Sequence, residues 1–297
     1  MRRIVVKLGT NVIMRADGKV ALGLLCGLVE QIAALRSRGI EVLVVSSGAI
    51  GLGVERLGLA SRPSALEQVQ ACAAVGQSRL MALYDDAFDR LGCRIAQVLL
   101  TEDDFRDAVR HANLRATLHS LLTLGVIPIV NENDTVSTME LERPVAAETR
   151  VNDEQGERDE RAHGVGEHAL GERIFGERIF GDNDKLSALL LKHVDADLLV
   201  LLSDVDGLYN RNPSEPGAAV ISSVEQIDER ILQLAHVGNG RGRGGMLSKL
   251  ESARIALEAG KQVVIANGRT PNVLERIVAG ETVGTRFAAA VMSGAAR

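Results

Sequence analysis

Four polar stretches of this chain have the residue types that handle phosphate. Gly181-Asp182-Asn183-Asp184 stands where a helix must open. Lys7 ends the apolar run Ile4-Val5-Val6, and Ser46-Ser47-Gly48 ends a second run, Val42–Val45. A glycine-rich stretch, Gly238-Asn239-Gly240-Arg241-Gly242-Arg243-Gly244-Gly245, leads into Lys249. Phosphate brings negative charge that ammonium groups and backbone N–H groups must balance. Carboxylates beside the lysines hold those lysines, a metal, or both. Together these types suit transfer of a phosphoryl group between small molecules.

Each stretch also has a plainer reading. Gly240, Gly242 and Gly245 spell G-x-G-x-x-G, but a helical pattern rather than a strand precedes them, so the dinucleotide fingerprint fails. No GxxxxGK[ST] occurs. What remains is a loop whose N–H groups can wrap phosphate, running into a helix start that favours anions. A lysine ending a strand is usually a snorkelling surface residue. Asn131-Glu132-Asn133-Asp134 after an apolar run invites substrate hydrogen bonds, or is only a turn. Asp182, Asn183 and Asp184 all suit a helix N-cap, although capping needs only one of them.

The elements that position these groups follow from periodicity. Apolar runs at 4–6, 42–45, 95–100, 126–130, 198–202 and 263–266 lack polar alternation and read as buried strands. Helical spacing is expected from Leu22 to Arg38, from Pro63 to about Gly92, over 111–124, from Leu186 to Val194, over 224–235, 247–259 and 271–279. Gly284–Phe287 is expected to close the sheet as a last strand. The β-α-β-α rhythm gives an α/β fold with a mainly parallel sheet covered on both faces. Lys7, Ser46-Ser47-Gly48, Asn131–Asp134 and Ser203-Asp204 all fall at strand C-termini, the edge where open α/β sheets bind ligands.

Composition narrows the classes. The 297 residues carry a net charge of −5, 2% aromatics and no Trp, which argues against a nucleic-acid surface. Cys26, Cys72 and Cys93 form no CxxC pair and read as buried free thiols of a reducing compartment. No run approaches a membrane span and the start Met1–Lys7 is not a signal peptide, so a cytoplasmic protein with no membrane association is expected. The chain reads as a single domain over 1–297, interrupted at 141–179. That interruption holds ten acidic and six basic residues and the tandem repeat Gly171–Phe175, Gly176–Phe180. It reads as a charged, flexible insertion, and its His163 and His168 are not read as metal ligands.

Taken together, the motifs resemble the amino acid kinase family, within it the enzymes that phosphorylate glutamate. The resemblance rests on Val5-Val6-Lys7-Leu8-Gly9-Thr10, Val45-Ser46-Ser47-Gly48-Ala49-Ile50 and Ala74-Val75-Gly76-Gln77-Ser78. It also rests on Gln97–Thr101, Ile129–Asp134, Phe180–Asp184, Leu186-Ser187-Ala188 and Gly244-Gly245-Met246. It implies a three-layer αβα sandwich and transfer of the ATP γ-phosphate, with Mg²⁺, to the side-chain carboxylate of L-glutamate. The product would be glutamyl 5-phosphate, which enters proline synthesis. It further implies Lys7, Lys249 and Asp184 as catalytic, with Asp184 orienting both lysines. Ser47, Asp134 and Asn183 would bind glutamate. Lys7, Ser203, Asp204 and the stretch Arg243, Gly244, Gly245, Met246, Leu247, Ser248 and Lys249 would bind ATP. No residue is assigned as a direct metal ligand. A homo-oligomer (dimer or tetramer) and inhibition by proline are family expectations.

Three departures from the family pattern stand out. A C-terminal PUA domain, frequent in the family, is expected to be lacking here. Arg243 replaces the usual Thr of the nucleotide loop. The insertion precedes Asn183, and because loop length is thermodynamically inexpensive it is read as tolerated rather than functional. Two alternatives stay open on the residues alone: a family member acting on acetylglutamate, aspartate, carbamate or UMP, and a non-catalytic amino-acid sensor of the same fold.

Overall fold

The computed structural model describes residues 1–136, 183–237 and 245–288. The insertion at 141–179, with its repeat and histidines, and Gly181, Asp182 and Gly238–Gly244 lie outside the described residues.

In chain order the first half comprises β1 (Arg3–Leu8), α1 (Thr10–Ile13), α2 (Leu22–Ser37), β2 (Glu41–Ser46), α3 (Ala49–Arg56), α4 (Leu66–Asp89), β3 (Ile95–Leu100), α5 (Asp103–Arg106), α6 (Ala108–Thr123) and β4 (Ile127–Glu132). The second comprises α7 (Asn183–His193), β5 (Leu198–Ser203), β6 (Ser223–Val224), α8 (Glu229–Val237), α9 (Met246–Glu258), β7 (Gln262–Asn267), α10 (Val273–Val278) and β8 (Thr285–Phe287). The strands form one eight-stranded sheet in the order β3-β4-β2-β1-β5-β7-β8-β6. Every pairing is parallel except β7 with β8.

Strand alternation sorts the side chains into two cores. Ile4, Val6 and Leu8 of β1 face one way, joining Val42 and Val44, Leu198, Val200 and Leu202, and residues of α2, α4 and α10. Val5 faces the other way, with Leu43, Val45, Leu199 and Leu201, and joins residues of α6, α7 and α9. Lys7 shares the parity of Val5, so its side chain projects toward the α7 and α9 layer. The fold is therefore the expected three-layer αβα sandwich. From β1 the order grows outward through β2 on one side and through β5 on the other, so the crevice beyond the C-termini of β1 and β5 is a topological switch point.

The structure corrects some boundaries. Val224 was expected to open a helix, but Ser223 and Val224 pair with Arg286 and Phe287 at the sheet edge. The helix starts only after Asp228, whose carboxylate accepts the Ile231 N–H as a cap. Consequently β8 is not the outermost strand; β6 is. Strand β4 continues past Val130 through the buried Asn131 and Glu132, because their backbone stays in register with Leu99 and Leu100. Cys72 and Cys93 are buried, whereas Cys26 is only half-buried. No helix of the described residues is long and apolar enough to cross a membrane.

Candidate active site

Lys7, Asp184 and Lys249 meet in that crevice. Lys7 Nζ lies 2.5 Å from Asp184 Oδ1, and Lys249 Nζ lies 3.1 Å from Asp184 Oδ2. Lys7 is 3% exposed, Lys249 4% and Asp184 0%. Burial pushes the Asp184 carboxyl up, but the two neighbouring ammonium groups outweigh it and hold the group below the ordinary carboxylate value. Asp184 in the first turn of α7 also suits the positive end of that helix. Two ammonium groups held in one buried crevice suit an anionic ligand.

Three elements bring these groups together. Lys7 is delivered by the β1 parity. Asp184 and Lys249 stand at the starts of α7 and α9, whose Leu186, Leu190, Leu250, Ala253 and Ala256 share one apolar cluster. A salt bridge of 3.5 Å between Lys185 and Glu251 joins the same two helices. Helix α9 is capped by Gly245 in an extended conformation, and its first turn carries Met246, Leu247 and Ser248 ahead of Lys249. Arg243 and Gly244 lie outside the described residues.

A second cluster of amides and hydroxyls lies beside the charges. Asn183 Nδ2 donates to the Ser46 carbonyl at 3.2 Å, Ser47 Oγ at 3.1 Å and Asn131 Oδ1 at 2.9 Å. The structure thus brings Asn183 and Ser47 together and adds Asn131, which the sequence marked only as part of a polar run. Asp134 sits in the turn that follows β4, three residues beyond Asn131. Gly48, at φ 103°, opens α3 in the left-handed region that favours glycine. Helix α3 is pressed against α4 so closely that a Cβ at Gly76 would lie 1.7 Å from the Ala49 carbonyl oxygen.

Ser203 and Asp204 occupy the end of β5. Ser203 Oγ donates to Asp204 Oδ1 at 3.1 Å, and Asn11 Nδ2 donates to Asp204 Oδ2 at 2.8 Å. Asn267, ending β7, donates to Asp206 at 2.8 Å. Sequence reading assigned no role to Asn11, Gln77 or Tyr84. Gln77 Oε1 accepts from Asn131 Nδ2 at 2.8 Å, and the buried Tyr84 hydroxyl pairs with Ser46 Oγ at 2.8 Å. Burial raises the Tyr84 phenol above its ordinary value despite that bond, so it stays protonated at neutral pH. A signal existed: positions 77 and 84 share a helix face two turns apart, and Tyr is rare in this chain.

Residues 2–154 and 162–267 match the model of the amino acid kinase family. The chain is 45% identical over 296 residues to a glutamate 5-kinase of Gloeobacter violaceus, covering 99% of this chain and 70% of that protein. It is 44% identical to a glutamate 5-kinase of Herpetosiphon aurantiacus, covering 96% and 68%. Another, from Caldanaerobacter subterraneus, is 40% identical, covering 96% and 67%. Among solved structures, isopentenyl phosphate kinase of T. acidophilum superposes with a TM-score of 0.57 at 15% identity, covering 97% of this chain and all of that one, a likeness of fold. By its matched segments, its relatives and its sheet, the chain belongs to the amino acid kinase family.

Proposed function

We propose that this protein is a glutamate 5-kinase, an ATP-dependent phosphotransferase that places the γ-phosphate of ATP on the side-chain carboxylate of L-glutamate. The names and coverage of its relatives support the activity. The observation that carries the chemistry is the buried Lys7–Asp184–Lys249 triad.

A glutamate side chain is ionised at pH 7 and is already a nucleophile, so no strong base is required. One carboxylate oxygen attacks phosphorus in line, the bond to the bridging oxygen of ADP breaks, and the transferring group is flanked by Lys7 and Lys249. Asp184 holds those two ammoniums in register. In this reading Ser47, Asp134 and Asn183 bind glutamate, and Ser203, Asp204 and 243–249 bind the nucleotide. Mg²⁺ would ride on the nucleotide phosphates, where it neutralises phosphoryl charge. Both Asp184 oxygens face lysines, and no direct protein ligand to the ion is assigned.

The product, glutamyl 5-phosphate, would feed proline synthesis in the cytoplasm, with proline as a candidate inhibitor and a dimer or tetramer as the working form. We also read 1–297 as one kinase domain carrying the 141–179 insertion. The test is ADP release with glutamate, aspartate and acetylglutamate, together with hydroxylamine trapping of the acyl phosphate. Glutamate-dependent hydroxamate is expected; ADP release with aspartate or acetylglutamate but not with glutamate would overturn the reading.

A further inference from the structure

The amides beside the triad form a chain with a fixed direction. Asn131 Oδ1 accepts from the Glu132 backbone N–H at 2.9 Å, and a backbone N–H can only donate. Asn131 Nδ2 must therefore point the other way, and it meets Gln77, which has to present its carbonyl oxygen, at 2.8 Å. Asn131 Oδ1 also faces Asn183, which has to present its NH₂, at 2.9 Å. The same NH₂ meets the Ser46 carbonyl, which can only accept, at 3.2 Å. Two main-chain groups, one at β4 and one at β2, thus remove the usual ambiguity of amide orientation. Asn183 Oδ1 is left facing away from the chain, buried and without a hydrogen-bond partner among the described residues. A buried acceptor without a partner is costly and calls for a donor.

We infer that the Gln77–Asn131–Asn183 chain is the device that selects a substrate bearing a primary ammonium, with Asn183 Oδ1 as its acceptor and Gln77 as a positioning residue that acts through Asn131. This rests on the glutamate reading above and adds the basis of its specificity. A neighbouring Asn free to flip would offer NH₂ half the time and repel an ammonium. Here the flip is closed off, because it would set the Asn183 C=O against the acceptors Asn131 Oδ1 and the Ser46 carbonyl. Gln77 lies on α4, 54 residues from Asn131 in sequence, and closes the far end of the chain by taking the Asn131 N–H that would otherwise lack an acceptor.

The test compares L-glutamate with glutarate, the same five-carbon dicarboxylate without its amine, by hydroxamate formation. The wild type should prefer glutamate in kcat/KM by at least tenfold. Gln77→Leu, and Gln77→Met as a second shape match, should lower that preference by about tenfold through the KM for glutamate. They should leave glutarate turnover and the KM for ATP within about twofold, and thermal melts should verify the fold. Gln77→Glu keeps an acceptor toward Asn131 and should hold the preference at or above the wild-type ratio. An unchanged ratio in both Leu and Met variants, or an equal loss for glutamate and glutarate, would overturn the selection device. Failure of the wild type to phosphorylate glutamate at all would instead remove the underlying glutamate reading.

Discussion

Replacing Asp184 by Asn tests the triad most directly, because it keeps the shape and deletes one charge. The carboxylate bridges two ammoniums with contacts of 2.5 and 3.1 Å. Without it those ammoniums face each other across roughly 6 Å, a repulsion of about 3 kcal/mol at an effective dielectric near 20. Breaking a buried ion pair from one side costs about 3–5 kcal/mol, which brackets that estimate. At about 2 °C per kcal/mol for a chain of this size, the melting temperature should fall by roughly 6–10 °C. Displacing reacting groups by about 1 Å costs on the order of 100-fold, so kcat should fall at least that far. The depressed Asp184 group adds a pH signature. Its stabilisation is complete above the unfolded carboxylate range and is lost as pH falls through the lower native value. The Asn variant should lack that acid-limb component. Thermal melts across pH 2–7 and hydroxamate turnover read both effects. A variant melting within about 1 °C of the wild type with kcat within threefold would refute the claim that Asp184 holds the lysines.

Three further predictions concern packing and pH. Gly76→Ala would drive a Cβ to 1.7 Å from the Ala49 carbonyl, so α3 must shift. A stability loss of at least 1–3 kcal/mol and a several-fold rise in the KM for glutamate are expected, because α3 carries Ser47-Gly48 at its start. Gly23→Ala on α2, where nothing lies within 4 Å, should instead stabilise by roughly 0.5–1 kcal/mol in a denaturant titration. Burial first, then the charges of His111, Lys192 and Arg115, push His193 down to about 4. Between pH 4 and 6.5 the unfolded chain thus binds more protons at this position than the native one, so stability should rise with pH across that window. His193→Gln should flatten the rise in melts taken at pH 4.5, 5.5 and 6.5.

The strands were legible because a parallel sheet covered on both faces writes itself as unbroken apolar runs, and Ile95–Leu100 was read to the residue. Polar strand ends were harder. Asn131 and Glu132 look like loop, yet ladder bonds keep them in the sheet, which is why they can serve the site at all. Val224 of the short edge strand was read as the start of a helix, since two residues give no period and only the distant Arg286-Phe287 settles it. The meeting of Lys7, Asp184 and Lys249 was what the family resemblance implied. Strand parity, which is a sequence property, then decides the face to which Lys7 projects. Gln77 was not anticipated. A glutamine on a helix resembles a solvated residue until its partner, on a strand far along the chain, is known.

The two lysines share the Asp184 carboxylate for a physical reason. Two unbridged ammoniums in a buried crevice would repel each other and each would lose hydration. A carboxylate shared by the two lysines offsets that repulsion. Lysine suits the task because its ammonium is a compact point charge with rotatable donors, whereas an arginine fork would commit to one planar partner. The arrangement ties chemistry to packing. Lys7 is fixed by β1, Asp184 by α7 and Lys249 by α9, and the helices keep their offset through the apolar contacts of Leu186, Leu190, Leu250 and Ala253 together with the Lys185–Glu251 salt bridge. A slip of either helix would separate the charges before it unfolded the protein. Core substitutions at those positions therefore belong with the active-site mutants: Leu190→Ala should lose turnover out of proportion to its loss of stability. If turnover per folded molecule stayed at the wild-type value, the coupling between the helix layer and the triad would be wrong.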